Sequence, residues 1–224
     1  MKKPLSSWYK NNTWNGDIND RFEKQLRYTR NPIHKARFLL EQGSLLLKNP
    51  NQNIQEVGQV LLGRLLEDLP EQHSPVLTAQ ENLGDYFFRQ KQYEKAAGFF
   101  KTVVDYCVAQ QSRTNTSSFT DLKWADAILQ QNLVEQFEKA YELIMQYPVS
   151  LLKTPEQQFY HAELGALLCD RMYKKVEAME LARAAVTYAQ MIKPAAVPNK
   201  TTNGEHSMEH RIKRMTDLME VKAL

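Results

Sequence analysis

Apolar side chains recur at helical spacing along almost the whole chain, in successive segments separated by proline, asparagine or short polar stretches. Leucine and glutamine number 26 and 18, whereas the β-branched valine and isoleucine number 12 and 7, so residues that favour helices predominate. The sequence therefore predicts an all-α protein. The predicted helices span residues 17–30, 33–48, 54–69, 76–90, 93–111, 120–132, 133–147, 154–172 and 174–192, followed by a last helix capped by Ser207.

Length and composition indicate a folded chain of ordinary type. The 224 residues are 42% hydrophobic and 25% charged, with a formal net charge of +3, which is enough apolar material for a buried core. No apolar run approaches the roughly 18–20 residues that a membrane helix needs, and the first ten residues contain no apolar signal region. Two cysteines cannot form a disulfide framework. We therefore expect a cytoplasmic protein that makes no membrane contact.

One pair of predicted helices carries a specific spacing of small and aromatic residues. Leu83 and Gly84 are followed by Phe87 in the first helix, and Ala96 by Phe100 in the second. Small residues permit a close crossing of two helices, and the larger ones fill the grooves around it. This pair resembles the tetratricopeptide repeat (TPR) family, whose repeat unit contains a Leu-Gly pair and a later Ala-x-x-x-aromatic pattern.

The neighbouring helix pairs match the family pattern in part, and the resemblance covers residues 36–192. The small residues of successive second helices are Gly58, Ala96, Ala140 and Ala178, which are spaced more widely than the usual 34-residue period. The resemblance implies a right-handed TPR-like α-α superhelix of about four helix pairs. Residues 1–35 would form an N-terminal segment and capping helix, 193–206 a linker and 207–224 a C-terminal helix. An antiparallel bundle without repeats is the alternative.

The resemblance also implies a binding surface, because arrays of this kind leave a concave face that takes a protein or peptide. The function expected from it is a non-enzymatic scaffold that binds another protein. The positions matching the groove of the family are polar and of both charge signs. They are Arg37, Glu41, Lys48, Glu81, Asn82, Asp85, Phe88, Arg89 and Asp126, with Glu163 and Asp170 at the equivalent positions of the fourth pair.

Motifs that would carry chemistry are lacking in the sequence. There is no glycine-rich phosphate loop and no G-x-S-x-G nucleophile turn. Residues 206–210 match the H-x-x-E-H zinc pattern, but His206 precedes the predicted helix cap, and few residues follow to supply a further ligand. We therefore expect no enzyme activity, no cofactor and no bound metal. His161, Cys107 and Cys169 are interpreted as packed residues.

Two other functions remain open. Residues 1–48 carry ten basic and four acidic side chains beside Trp8, Tyr9, Trp14 and Tyr28, a combination that a nucleic-acid-binding accessory protein would use. Packing of these aromatic residues on the first repeat is the preferred interpretation, so nucleic acid is not the expected partner. The last helix has an apolar side of Met208, Ile212, Met215 and Met219, which predicts either a cap on the array or docking into a second subunit of a homo-oligomer.

Overall fold

The computed structural model describes residues 8–111, 119–192 and 207–220. Within these ranges the chain forms ten α-helices, two short 3-10 helices and no strand, so the predicted all-α class is confirmed. The predicted linker at 193–206, including His206 of the zinc pattern, lies outside the described residues. The chain divides into two compact units, Met1–Thr120 and Asp121–Leu224. The division falls inside the stretch 36–192 for which one repeat array is predicted.

The first unit contains five helices, which are α1 (Gly16–Tyr28), α2 (Pro32–Leu46), α3 (Gln52–Asp68), α4 (His73–Arg89) and α5 (Tyr93–Ala109). Three of them begin after an asparagine whose side-chain oxygen accepts a backbone N–H of the first turn at 2.9 Å. These N-caps satisfy donors that a helix start leaves unpaired. The caps are Asn15, Asn31 and Asn51.

Helices α2 and α3 cross so closely that their backbones touch. A Cβ atom placed on Gly58 would lie 2.8 Å from the Leu47 nitrogen and 2.9 Å from the Gly43 oxygen. Helices α4 and α5 form a second antiparallel pair, in which Gly84 leaves room for the ring of Phe100. Helix α4 also packs against α2 and α3. The predicted small-residue crossings at Gly58 and Gly84 are therefore present in the first unit.

The second unit contains α6 (Thr120–Gln131), α7 (Phe137–Met145), α8 (Pro155–Arg171), α9 (Lys175–Met191) and α10 (Met208–Glu220), with α6 starting at the last residue of the first unit. Helices α8 and α9 form an antiparallel pair, and α10 packs on both. Thr154 and Gln157 form a capping box at the start of α8, and Pro155 lies in the first turn. Ser207 accepts the His210 N–H at 3.2 Å and caps α10.

Two predicted helices differ from the structure by more than two residues at their start, and the other boundaries agree within one or two residues. Helix α4 begins at His73 rather than residue 76, because Pro75 lies in the first turn, where the missing N–H is not needed. The predicted helix 133–147 is divided into a 3-10 turn, Val134–Gln136, and the shorter α7. A further 3-10 turn, Val149–Leu151, follows Pro148 and was not predicted.

Candidate functional site

The polar faces of α2 and α4 meet along one seam of the first unit. Asn82 Nδ2 donates to Ser44 Oγ at 2.7 Å, and Arg89 Nη2 lies 3.5 Å from the Leu47 carbonyl oxygen, near the end of α2. Lys48 follows Leu47 and is exposed. Two cationic side chains, Lys48 and Arg89, therefore lie at the same end of the seam. Cations at this position also suit the partial negative charge of the helix C-terminus.

Farther along α2, Glu41 is held between two cations. Arg37 Nε donates to Glu41 Oε1 at 2.6 Å, and Lys10 Nζ lies 2.8 Å from Glu41 Oε2. Arg37 also donates to the Tyr9 hydroxyl at 3.4 Å. Burial alone would raise the pKa of Glu41, but the hydrogen bonds and charges of Lys10 and Arg37 lower it overall. Lys10 and Tyr9 belong to the segment before α1, and the repeat pattern gives no signal for them.

Three further predicted groove residues lie on α4. Glu81 is buried and accepts a hydrogen bond from the Thr120 hydroxyl. Asp85 is half-buried. Phe88 is half-buried as well, with its ring edge-on to Tyr93 at a centroid distance of 5.1 Å. Glu81 is thus part of the interior rather than an open groove position.

Asp126, the ninth predicted position, lies in the second unit. It accepts hydrogen bonds from the Tyr160 hydroxyl at 2.8 Å and from Gln130 Nε2 at 3.0 Å. Burial raises the pKa of Asp126, and the negative charge of Glu163 raises it further, while those two hydrogen bonds act in the opposite direction. Five of the nine predicted positions therefore lie on α4 and two on α2, and Lys48 follows the end of α2. Asn82 and Arg89 are the two that contact the α2 side of the seam, and Asp126 lies with Tyr160 and Glu163 instead.

The segment before α1 packs onto α1 and α2. Trp8 contacts Phe22 and Phe38 at centroid distances of 5.5 and 4.8 Å, Tyr9 lies 4.5 Å from Phe38, and Trp14 lies 5.5 Å from Phe22. These three N-terminal rings therefore pack against the helices, which is the interpretation preferred over base stacking in the sequence analysis. Tyr28 differs, since it is 72% exposed.

A buried glutamine fixes this segment in place. Gln42 is fully buried on α2, accepts the Asn11 backbone N–H at 2.8 Å and donates to the Asn11 carbonyl at 2.8 Å. The side-chain amide of Gln42 thereby pairs with the backbone of Asn11 in the way that one β-strand residue pairs with another. Sequence reasoning missed this role, although a signal existed, because Gln42 stands among the apolar positions of α2.

The exposed cations of α1 form a second polar surface. Arg21, Lys24 and Tyr28 lie on one side of the helix, at intervals of three and four residues, and all three are exposed. No ion pair involves Arg21 or Lys24 within the described part of the chain. Glu23, on the same helix, pairs instead with Arg64 of α3.

The residues considered for chemistry lie apart. Cys107 and Cys169 are both buried, and burial together with the charge of Glu177 raises the pKa of Cys169 to about 11. A His161 ring nitrogen lies 3.0 Å from the Ile144 carbonyl. In the described ranges, no three His, Cys, Asp or Glu side chains converge as a metal site would require. Across the same ranges, no helix has the length and apolar character that crossing a membrane demands.

Comparison of the chain with protein-family models, with curated proteins and with solved structures finds no significant match.

Proposed function

We propose that the chain is a non-enzymatic scaffold that binds another protein or a peptide segment through the polar seam of α2 and α4, in the manner of the TPR family. The observation that supports this most directly is the side-by-side packing of the two helices, linked by Ser44 and Asn82, with charged positions on both. Each of α2 and α4 is the first helix of an antiparallel pair. First helices line the groove in the family that the sequence resembles.

The seam has both charge signs, and this selects the chemistry of the partner. Lys48 and Arg89 at one end would take acidic side chains, and guanidinium binds carboxylates with two parallel hydrogen bonds. Glu41 is already neutralised by Lys10 and Arg37, so it repels an acidic partner less than its formal charge suggests. Affinity would come from a few such anchors rather than from the whole face.

A pair of charge reversals tests the seam. We expect the Lys48→Glu/Arg89→Glu variant to recover partners from the native cell about tenfold less efficiently than the wild type, equivalent to roughly 1.4 kcal/mol. Recovery is measured by quantitative mass spectrometry. The matched control is Arg21→Glu/Lys24→Glu, which changes the same charge on α1. Partners that survive the first change would contradict the assignment of the seam.

The same control variant tests the nucleic-acid alternative. The exposed Tyr28 beside Arg21 and Lys24 is the observation that keeps this alternative open. RNA binding through these cations would weaken steeply as salt is raised and would be lost in Arg21→Glu/Lys24→Glu alone. We favour the protein scaffold, because Trp8, Tyr9 and Trp14 are packed rather than presented for base stacking. A cytoplasmic location is proposed because two cysteines are too few for a disulfide framework.

A further inference from the structure

The turn between α1 and α2 lies in a stretch of the chain whose charges are all positive. Between Glu23 and Glu41 there are five lysine or arginine residues and no acidic residue. Both flanking carboxylates are already paired, Glu23 with Arg64 of α3 and Glu41 with Lys10 and Arg37. The stretch therefore keeps an excess of positive charge that neither flanking residue neutralises.

Two arginines near the turn carry this charge at the surface. Arg27 and Arg30 are exposed, and neither takes part in an ion pair within residues 8–111, 119–192 and 207–220. Arg27 Nε lies 3.4 Å from the Glu23 carbonyl oxygen, a neutral acceptor on the same helix. Both guanidinium groups can therefore bind carboxylates of another molecule, which arginine holds with two parallel hydrogen bonds.

Two apolar side chains are exposed on either side of the same turn. Tyr28, at the end of α1, is 72% exposed, and Ile33, in the first turn of α2, is 59% exposed. Tyrosine and arginine are enriched at protein interfaces, and an exposed isoleucine adds apolar area that a partner can cover. We refer to Arg27, Tyr28, Arg30 and Ile33 together as the basic corner.

The backbone of the basic corner is fixed by hydrogen bonds at both helix ends. The Thr29 hydroxyl donates to the Gln25 carbonyl oxygen at 2.9 Å, at the end of α1. Asn31 accepts the Ile33 N–H at 2.9 Å through its side chain and the Lys35 N–H at 3.1 Å through its carbonyl oxygen. A surface that is already ordered loses less conformational entropy on association, which favours its use in binding.

We propose that the basic corner is a docking surface for an acidic segment of a partner protein, one in which apolar side chains lie between the carboxylates. The charge of the corner selects acidic residues, and Tyr28 and Ile33 contact the apolar ones. An RNA strand fits less well, because Ile33 has no ring on which a base can stack, and Trp8, Tyr9 and Trp14 are packed. The corner contains no residue of the α2–α4 seam, so this docking surface goes beyond the proposed function and does not depend on it.

Two other cations of α1 provide a matched control for charge. Arg21 and Lys24 stand four residues after Asp17 and Asp20, a spacing at which opposite charges on a helix attract each other. The carboxylate four residues before Arg27 is instead paired with α3. Reversing Arg21 and Lys24 therefore changes the net charge as much as reversing the two arginines of the basic corner, but it does so outside the corner.

The probe is a fluorescein-labelled synthetic peptide in which leucines are interspersed among glutamates, and fluorescence anisotropy with the full chain measures its dissociation constant. We expect Arg27→Glu/Arg30→Glu to weaken binding about tenfold or more, because two attractive contacts become repulsive. The control Arg21→Glu/Lys24→Glu should weaken it less than about threefold, because salt screens charges that lie farther from the peptide. Arg27→Gln/Arg30→Gln should give an intermediate loss, and circular dichroism verifies that each variant keeps its helices.

The apolar part of the basic corner is tested with a second peptide, in which serines replace the leucines. Tyr28→Ser/Ile33→Ser should weaken binding of the leucine peptide about tenfold and leave binding of the serine peptide unchanged. This difference separates a docking surface with apolar contacts from attraction of charge alone, because charge alone would treat the two peptides alike.

The proposal is overturned if Arg27→Glu/Arg30→Glu binds the leucine peptide as the wild type does, or if the control weakens binding equally. An equal effect of Tyr28→Ser/Ile33→Ser on the two peptides also overturns it. Tighter binding of the wild type to oligouridine of the same charge would overturn it by assigning the corner to RNA. Binding to phosphatidylserine vesicles without binding to the peptide would overturn it by assigning the corner to a membrane surface.

The basic corner and the α2–α4 seam can fail separately. The loss of peptide binding in Arg27→Glu/Arg30→Glu should be the same in a chain that also carries Lys48→Glu/Arg89→Glu, because distant sites contribute additively. A loss that disappears in the combined variant would place the peptide on the seam and overturn the assignment of the basic corner.

Discussion

Gly58 sits where the backbones of α2 and α3 touch, and its role follows from the missing side chain. A methyl group there would meet the Leu47 nitrogen and the Gly43 oxygen, both of them backbone atoms that cannot move aside cheaply. The two helices would have to separate, and the packing around the crossing would loosen. The small residue at this position of the sequence pattern is therefore required by the close contact of the two helices.

We expect Gly58→Ala to lower the free energy of unfolding by about 3 kcal/mol, through overpacking at the crossing. Gly63 is the matched control, because it lies on the same helix with no atom within 4 Å of a Cβ placed there. Gly63→Ala should raise the free energy of unfolding by about 0.5–1 kcal/mol, since alanine favours the helix. Urea denaturation measures the free energy of unfolding of both variants. Equal changes in the two would contradict the close backbone contact at Gly58.

Glu41 makes the stability of the first unit depend on pH, with lower stability at acidic pH. Its pKa in the folded chain lies below the ordinary 4.5, so the ionised form stabilises the fold above that pH, and the contribution is lost as the pH falls through the folded value. Glu41→Gln should be less stable than the wild type at pH 7, with the difference shrinking at pH 3. Denaturation at both values tests this. Glu67→Gln, the same change at an exposed position of α3, is the matched control.

At the level of the helices, two interhelical turns use residues that tolerate their backbone conformation poorly. Lys91 between α4 and α5 and Tyr173 between α8 and α9 have φ values of 57° and 59°. In both turns the next residue donates its N–H back across the helix end at 2.9 Å. Such C-caps favour glycine, because a side chain in this region is strained. Tyr173 is 85% exposed, so packing does not compensate the strain.

We expect Tyr173→Gly to raise the free energy of unfolding by about 0.5–1 kcal/mol, the relief of strain less the extra freedom of glycine in the unfolded chain. Arg183→Gly, at an exposed interior position of α9, should lower it by about 1 kcal/mol. Thermal denaturation distinguishes the two. A loss of stability in Tyr173→Gly would show that the tyrosine ring makes a stabilising contact.

Local signals were sufficient to predict most helices, since caps such as Thr154 and crossings such as Gly84 depend on residues close in sequence or on one close neighbour. They did not predict the start of α4 at His73, because a proline in the first turn, here Pro75, is compatible with a helix that begins before it. They also did not predict the ion pairs that Glu41 forms with Lys10 and Glu163 with Arg211. Those contacts join residues far apart in sequence, and tertiary packing rather than periodicity decides them.

On the scale of the whole molecule, each compact unit contains one buried cysteine. Cys107 belongs to the first unit and Cys169 to the second. The rate of thiol labelling at each cysteine therefore reports on the unfolding of the unit that contains it. The units also have separate buried clusters, one around Phe22 and Leu62 and one around Phe159 and Met215.

We expect iodoacetamide at pH 8 to label Cys169 at least about 100-fold more slowly in the folded chain than in denaturant. A pKa of about 11 instead of 9.0 reduces the reactive thiolate by about that factor, before burial slows access further. The Cys107→Ala variant isolates this signal, and Cys169→Ala provides the comparison for the first unit. Labelling of Cys169 at the denatured rate would contradict its burial in α8.

The position of α10 in the sequence has a consequence for synthesis. At roughly 5–20 residues per second, α10 leaves the ribosome on the order of seconds after α9. During that interval the Glu163 carboxylate of α8 lacks Arg211, which pairs with it in the folded second unit. The buried cluster around Phe159 and Met215 is therefore completed only after α10 has been made, later than the α8–α9 pair itself.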